Sequence, residues 1–134
     1  MKVRAFTLME LMIVIVIIGI LATIGVAYFD PMRENALDNE AQSNLRLIIA
    51  AERTARMETG AYLASNDMDV INTSLRLLLP RQANRSWNYQ TTVIAASGEA
   101  CAQATRNGAG ARTWCFRIGR DDPLRGGTCA ANCP

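Results

Sequence analysis

Glu10 is the residue whose type and position most clearly call for a chemical explanation. It directly precedes residues 11–29, which carry no charged side chain. A carboxylate in such an apolar segment costs about 2.5–3.5 kcal/mol on membrane-insertion scales and usually marks a function. Pairing with a positive group recovers much of that cost, so the position predicts a specific partner for Glu10.

Cysteines form a second set, and all of them lie in the last third of the chain: Cys101, Cys115, Cys129 and Cys133. If the apolar N-terminal segment directs export, an even number of cysteines in the small domain behind it indicates disulfides. Zinc is the competing interpretation, but only one pair is closely spaced and the chain has no histidine. Pairing of Cys101 with Cys115 is favoured, because a bridge across about 15 residues stabilises by about 3 kcal/mol. Cys129 would then pair with Cys133, although crossed pairings such as Cys115–Cys133 with Cys101–Cys129 stay open.

Several kinds of chemistry have no candidate residues. Without histidine there is neither an imidazole base nor a Ser-His-Asp triad. Asp121 and Asp122 are too few for calcium, which takes 6–8 oxygen ligands, and are interpreted as a solvated turn. The net charge of +2 equals the contribution of Lys2 and Arg4, so the remainder is balanced and has no basic stripe for nucleic acid. We therefore expect no enzyme activity, no cofactor, no metal and no specific nucleic-acid partner.

The element that positions Glu10 is the apolar segment itself. Residues 11–29 are long enough to cross a bilayer as a helix. A cleavable secretory signal is an alternative, since Gly25-Val26-Ala27 offers a small-residue cleavage site. Glu10 argues against that alternative, because a cleavable signal gains nothing from a charge in its apolar part.

The N-terminal residues resemble a known family. Residues 5–11, AFTLMEL, and residues 12–22, MIVIVIIGILA, resemble the N-terminal signature of type IV pilins and type II secretion pseudopilins. The resemblance implies that a prepilin peptidase cuts between Ala5 and Phe6 and methylates the new amine of Phe6. It also implies that the apolar segment is retained as the core of a filament, with Glu10 as its assembly residue.

The spacing gives these implied roles a physical basis. Glu10 lies four residues after Phe6, so its carboxylate can meet the Phe6 amine of a correctly staggered neighbouring subunit. Gly19 and Gly25 each weaken a helix by about 1 kcal/mol relative to alanine. Pro31 lacks an N–H group and crowds the preceding turn. The resemblance implies that the helix opens near these residues on assembly, and a kinked helix is the alternative.

The rest of the chain is predicted to form a small head on a long helix. Residues 31–59 continue the helix with one apolar face, formed by Leu37, Ala41, Leu45, Ile48 and Ala55. Gly60 is a C-cap signal, and the charged residues between the apolar ones, Asp38 among them, are interpreted as a solvated or subunit-facing surface. Residues 60–87 are a connection with a short helix, capped by Asn66 or Asp67 and stopped by Pro80.

Strand signals follow at residues 87–95 and 113–118, with a long turn at 97–111 and a loop at 120–127. The predicted fold is therefore α+β and type IV pilin-like: a long N-terminal helix on three or four antiparallel strands, with a disulfide-bonded C-terminal region. The predicted organisation is a leader at 1–5, a transmembrane and filament-core helix at 6–30, its amphipathic continuation at 31–59, and a globular head at 60–134.

These features predict a structural subunit of a type IV pilus-like filament that serves adhesion, motility or DNA uptake. A pseudopilin of a type II secretion system is the alternative, and a membrane-anchored or secreted binding domain is a third. The expected partners are identical subunits, the prepilin peptidase, the inner-membrane assembly machinery and the membrane. The precursor is expected in the inner membrane and the mature protein in a filament at the cell surface.

Overall fold

A computed structural model describes residues 6–80, 86–95, 97–108, 110 and 112–126, and for residues 25–28 it describes the backbone alone. Within these residues, two α-helices and four β-strands follow one another. They are α1 (Leu8–Thr59), α2 (Met68–Ser74), β1 (Trp87–Val93), β2 (Ala100–Arg106), β3 (Thr113–Arg117) and β4 (Leu124–Arg125). The α+β class and the long N-terminal helix predicted from the sequence are confirmed.

Helix α1 runs for 52 residues and ends where the sequence predicts. The N–H of Gly60 donates to the carbonyl of Arg56 at 2.8 Å, and Gly60 has a φ of +81°. A glycine adopts this left-handed conformation without steric cost, which explains why the helix stops there. Pro31 lies inside α1 and does not end it.

The chain divides into two compact units, residues 1–36 and 37–134. The second unit contains residues 60–134, the predicted globular head, together with the second half of α1. The second half of α1 belongs to the core of this unit, because Ala41, Leu45 and Ile48 are fully buried. The apolar face predicted for residues 31–59 is therefore a core face of the head.

The sheet is a four-stranded antiparallel meander in the order β1-β2-β3-β4, as predicted. Strand β2 was missed, however, because residues 97–111 were interpreted as a long turn. Its sequence, ACAQATR, is rich in alanine, which is depleted in strands. The two-residue strand β4 likewise lies in the predicted loop at 120–127.

The alanines of β2 suit its position under α1. Ala104 lies between Tyr89 of β1 and Trp114 of β3 in the register, and Ala102 lies between Thr91 and Phe116. Small side chains in the middle row leave room for the helix, while aromatic side chains close the core on either side. The core cluster joins this sheet face to α1 and α2.

Helix α2 begins where one of the two predicted caps lies. Asp67 is the N-cap, and its side chain accepts a hydrogen bond from the N–H of Asp69. The helix ends at Ser74, before Pro80, and Arg76 then takes a positive φ of 55°. Its buried residues Met68 and Ile71 pack in the same core cluster.

Candidate assembly site

The first turn of α1 presents Glu10 at the N-terminal end of a long helix. The N–H of Glu10 donates to the hydroxyl of Thr7 at 3.3 Å and to the carbonyl of Thr7 at 3.1 Å. A threonine just before a helix, with a glutamate three residues later, is a capping-box pattern. The sequence analysis missed this role of Thr7, although Thr7-x-x-Glu10 was visible in the sequence.

The capping position offers a structural explanation for Glu10 besides assembly. A carboxylate in the first helical turn is stabilised by the helix dipole, typically by about 0.3–1 kcal/mol. That is less than the cost of placing the charge in an apolar segment. Capping therefore accounts for part of the presence of Glu10 and leaves its charge in need of a further partner.

The predicted cleavage junction is only half described. Phe6 is 69% exposed and lies two residues before the helix begins. Ala5 lies outside the described residues. Cleavage between Ala5 and Phe6, and methylation of Phe6, therefore stay predictions.

Apolar side chains cover every side of α1 downstream of Glu10. The large apolar residues described between positions 11 and 24 are all exposed, with fractions from 44% at Val14 to 64% at Leu21. A helix that is apolar all round normally lies in a core or a membrane. Contiguous exposed apolar surface of this kind marks an interaction site for protein or lipid.

No single helix among the residues that the structure describes meets, by itself, the length and hydropathy of a membrane span. Leu8–Ile24 and Phe29–Thr59 meet that test together as a bent pair, on length and composition alone. The single span predicted over residues 11–29 stays a prediction.

The predicted positions of helix opening lie inside α1. The helix continues through Gly19, Gly25 and Pro31. A side chain at Gly19 would meet no atom within 4 Å, so packing does not require glycine there. An opening of the helix at these residues on assembly stays a prediction.

A buried polar contact joins α1 to the sheet within the head. The carboxylate of Asp38 accepts a hydrogen bond from the guanidinium of Arg112 at 3.0 Å and from the indole N–H of Trp114 at 3.3 Å. One residue earlier, the carbonyl of Leu37 accepts from the indole N–H of Trp87 at 2.9 Å. Asp38 is 7% exposed, so its assignment to a solvated surface was wrong. Sequence alone gives no sign of this role, because the partners of Asp38 lie 74 and 76 positions further along the chain.

The cysteines of β2 and β3 lie on the sheet face opposite α1. Cys101 and Cys115 are both disulfide-bonded, and each is 2% exposed. Cys129 and Cys133 lie outside the described residues. The favoured pairings, Cys101–Cys115 and Cys129–Cys133, stay predictions.

No group of three or more metal-binding side chains occurs in the described ranges. Asp122 lies 2.6 Å from the guanidinium of Arg46, and both side chains are mostly exposed. The acidic turn at Asp121 and Asp122 therefore contributes an ion pair on the surface of the head.

Comparison with known proteins agrees with these features. Residues 1–26 match the family model of the prokaryotic N-terminal methylation motif. The chain is 41% identical over 59 residues to the type IV major pilin protein PilA of Myxococcus xanthus (strain DK1622). This match covers 44% of the chain and 27% of that relative, so the chain spans about a quarter of the relative's length. No solved structure gives a significant match. The methylation motif, the similarity to a type IV major pilin and the helix-and-sheet fold together support the type IV pilin family for this chain.

Proposed function

We propose that this protein is a structural subunit of a type IV pilus-like filament, assembled from identical copies through the first part of α1. The observation that carries the proposal is the helix from Leu8 to Ile24, whose large apolar side chains are all exposed. Such a surface needs lipid before assembly and neighbouring helices afterwards. The filament serves adhesion, motility or DNA uptake at the cell surface.

Glu10 acts as the device that sets the stagger between neighbouring subunits. Apolar packing of Ile, Val and Leu supplies most of the affinity but has little preference for one axial position over another. The carboxylate of Glu10 is satisfied when it meets the N-terminal amine of a neighbour, and a wrong stagger leaves it unpaired. Capping by Thr7 holds the first turn helical and thereby fixes where the carboxylate projects.

The precursor inserts in the inner membrane, and a prepilin peptidase processes it between Ala5 and Phe6. Assembly machinery in that membrane then moves the mature subunit into the filament. A pilus is favoured over the pseudopilus of a type II secretion system by the similarity to a major pilin and by the cysteines of the C-terminal region. We propose no catalytic activity and no cofactor.

Processing tests this proposal directly. The intact mass of the protein recovered from sheared cell-surface material should correspond to loss of the first five residues and gain of one methyl group. Tandem mass spectrometry should locate that methyl group on the amine of Phe6. A mature chain that begins at Tyr28 would show removal of the apolar segment and would overturn the proposal.

A further inference from the structure

The side chain of Glu52, on α1, holds the loop that follows this helix, residues 60–67, called here the α1–α2 loop. Glu52 is fully buried, and its Oε2 atom accepts a hydrogen bond from the N–H of Leu63 at 3.0 Å. Its Oε1 atom has no hydrogen-bond partner among the residues that the structure describes. A carboxylate in such surroundings is costly when ionised, because a single neutral donor does not replace the water that the charge loses.

Two further contacts hold the α1–α2 loop in place. The guanidinium of Arg56 donates to the hydroxyl of Tyr62 at 2.7 Å and lies 4.5 Å from the centre of the tyrosine ring. The backbone N–H of Ser65 donates to the carbonyl of Thr91 at 2.9 Å, and the N–H of Thr91 donates to the carbonyl of Ser65 at 2.8 Å. The loop is therefore tied to α1 at Tyr62 and Leu63, and to β1 at Ser65.

The charged residues of α1 that follow Glu52 do not compensate its charge. Arg53 and Glu58 are exposed on the surface of the helix. Arg56 lies one turn after Glu52, which is the spacing of a helical ion pair, but its guanidinium contacts Tyr62 instead. Within the described part of the chain, the hydrogen bond from the loop is therefore the contact that offsets the burial of the carboxyl group.

The ionisable residues of the α1–α2 loop and of β1 are acidic or phenolic, so neither element supplies a cation. In the loop, Tyr62 is the partner of the arginine just named, and Asp67 is the N-cap of α2. On β1, the hydroxyl of Tyr89 accepts a hydrogen bond from a side-chain amide of α1 at 2.8 Å. Burial is thus the main influence on Glu52 and raises its pKa, while the hydrogen bond from Leu63 lowers it by less.

We propose that Glu52 is a pH-sensitive latch on the α1–α2 loop. At acidic pH the neutral carboxyl group stays buried and the loop is closed over it. As the pH rises Glu52 ionises, and the loop opens more easily at Leu63 because opening lets water reach the carboxylate. Opening also frees Arg56 from Tyr62, so that its guanidinium can pair with Glu52 four residues earlier on the helix. All of these residues belong to the unit 37–134, so the latch does not depend on how the N-terminal part of α1 assembles.

Hydrogen exchange at single backbone amides of the full-length protein in detergent tests the latch. The closed loop holds the Glu52 proton more firmly than the open loop does, so closure is strongest at low pH and weakens as the pH rises through the pKa of buried Glu52. After correction for the intrinsic pH dependence of exchange, the protection of the Leu63 N–H should fall about tenfold between pH 4 and pH 8. The N–H of Ile71, which donates to the carbonyl of Asp67 at the start of α2, should keep its protection. Protection of Leu63 that does not change with pH would overturn the proposal.

Two variants assign the change in protection to Glu52. Glu52→Gln keeps an oxygen that accepts from the N–H of Leu63 but cannot ionise, so protection in this variant should not vary with pH. Tyr62→Phe is the matched control, because it removes the acceptor of Arg56 and leaves Glu52 unchanged. It should lower the protection of Leu63 by a similar factor at every pH and keep the fall between pH 4 and pH 8. A wild-type fall in Glu52→Gln, or the loss of that fall in Tyr62→Phe, would refute the role of Glu52. If Glu52→Gln does not fold, the profiles of wild type and Tyr62→Phe decide.

Discussion

Glu52 is the charged side chain whose surroundings differ most from its appearance in the sequence. It lies on α1 among alternating charged and apolar residues, yet it is fully buried. Its Oε2 atom accepts a hydrogen bond from the N–H of Leu63 at 3.0 Å, and its Oε1 atom has no hydrogen-bond partner within the described part of the chain. Burial raises the pKa of Glu52, and the bond from Leu63 opposes that rise without cancelling it.

The raised pKa predicts that Glu52 makes the head less stable as the pH rises. The folded state holds the Glu52 proton more firmly than the unfolded state does. The stabilisation that results is complete when the pH is below the pKa of Glu52 in the unfolded chain. That contribution is lost as the pH rises through the folded pKa. At pH 8 we expect Glu52→Gln to have a free energy of unfolding higher than that of wild type by on the order of 1 kcal/mol, and therefore to unfold at a higher urea concentration. Near pH 4 the two proteins should have the same stability. Tryptophan fluorescence of the full-length protein in detergent measures this, because Trp87 is buried in the core.

Glu58→Gln is the matched control. Glu58 lies on the same helix, is half exposed and pairs with Arg76 at 3.3 Å. This variant should keep the pH dependence of wild type. If Glu52→Gln also keeps it, the burial of Glu52 does not control the pH dependence of stability.

At the scale of elements, the strands that could be predicted from the sequence are those whose own side chains favour strand structure. Strands β1 and β3 are rich in aromatic and β-branched residues and were predicted close to their observed bounds. Strand β2 is stable because of its neighbours, since α1 covers its alanines and β1 and β3 pair with its two edges. Strand propensity does not include such tertiary contacts, and for this reason β2 was interpreted as a turn.

The same limit applies to the candidate sites. The capping box, the end of α1 and the N-cap Asp67 depend on residues a few positions apart, and so a sequence pattern can reveal them. The contact of Asp38 with Arg112 depends on residues 74 positions apart.

The row of alanines in β2 gives a prediction about how closely α1 packs on the sheet. Ala104 is fully buried between Tyr89 and Trp114. Ala104→Leu adds volume to a filled core, so we expect a loss of about 2 kcal/mol in the free energy of unfolding. Thr92→Leu is the control, because Thr92 is exposed on β1 of the same sheet, and its effect should stay within about 0.5 kcal/mol. The free energy of unfolding of both variants is measured by urea titration. Equal losses in the two variants would show that the small size of Ala104 is not required for packing against β2.

At the scale of the whole molecule, the two compact units differ in how they bury apolar surface. Residues 37–134 enclose a core of their own, whereas the apolar side chains described in residues 6–24 are exposed. Substitutions in the first unit should therefore affect assembly, and substitutions in the second should affect stability of the head. Glu10 tests this division best, because the hydrogen bonds of its backbone N–H are local to Thr7.

Glu10→Ala should separate membrane insertion from filament formation. Loss of the charge removes an insertion cost of about 2.5–3.5 kcal/mol, so the variant should enter the membrane at least as well as wild type. The head should unfold at the wild-type urea concentration. Filaments should nonetheless fall at least tenfold, since apolar packing alone has no preferred stagger and the neighbouring amine is left unpaired. The measurement is the amount of sheared surface filament relative to the total membrane-bound subunit. Glu58→Ala, at the other end of the same helix, should give wild-type yield, and a wild-type yield from well-inserted Glu10→Ala would refute the role of Glu10 in assembly.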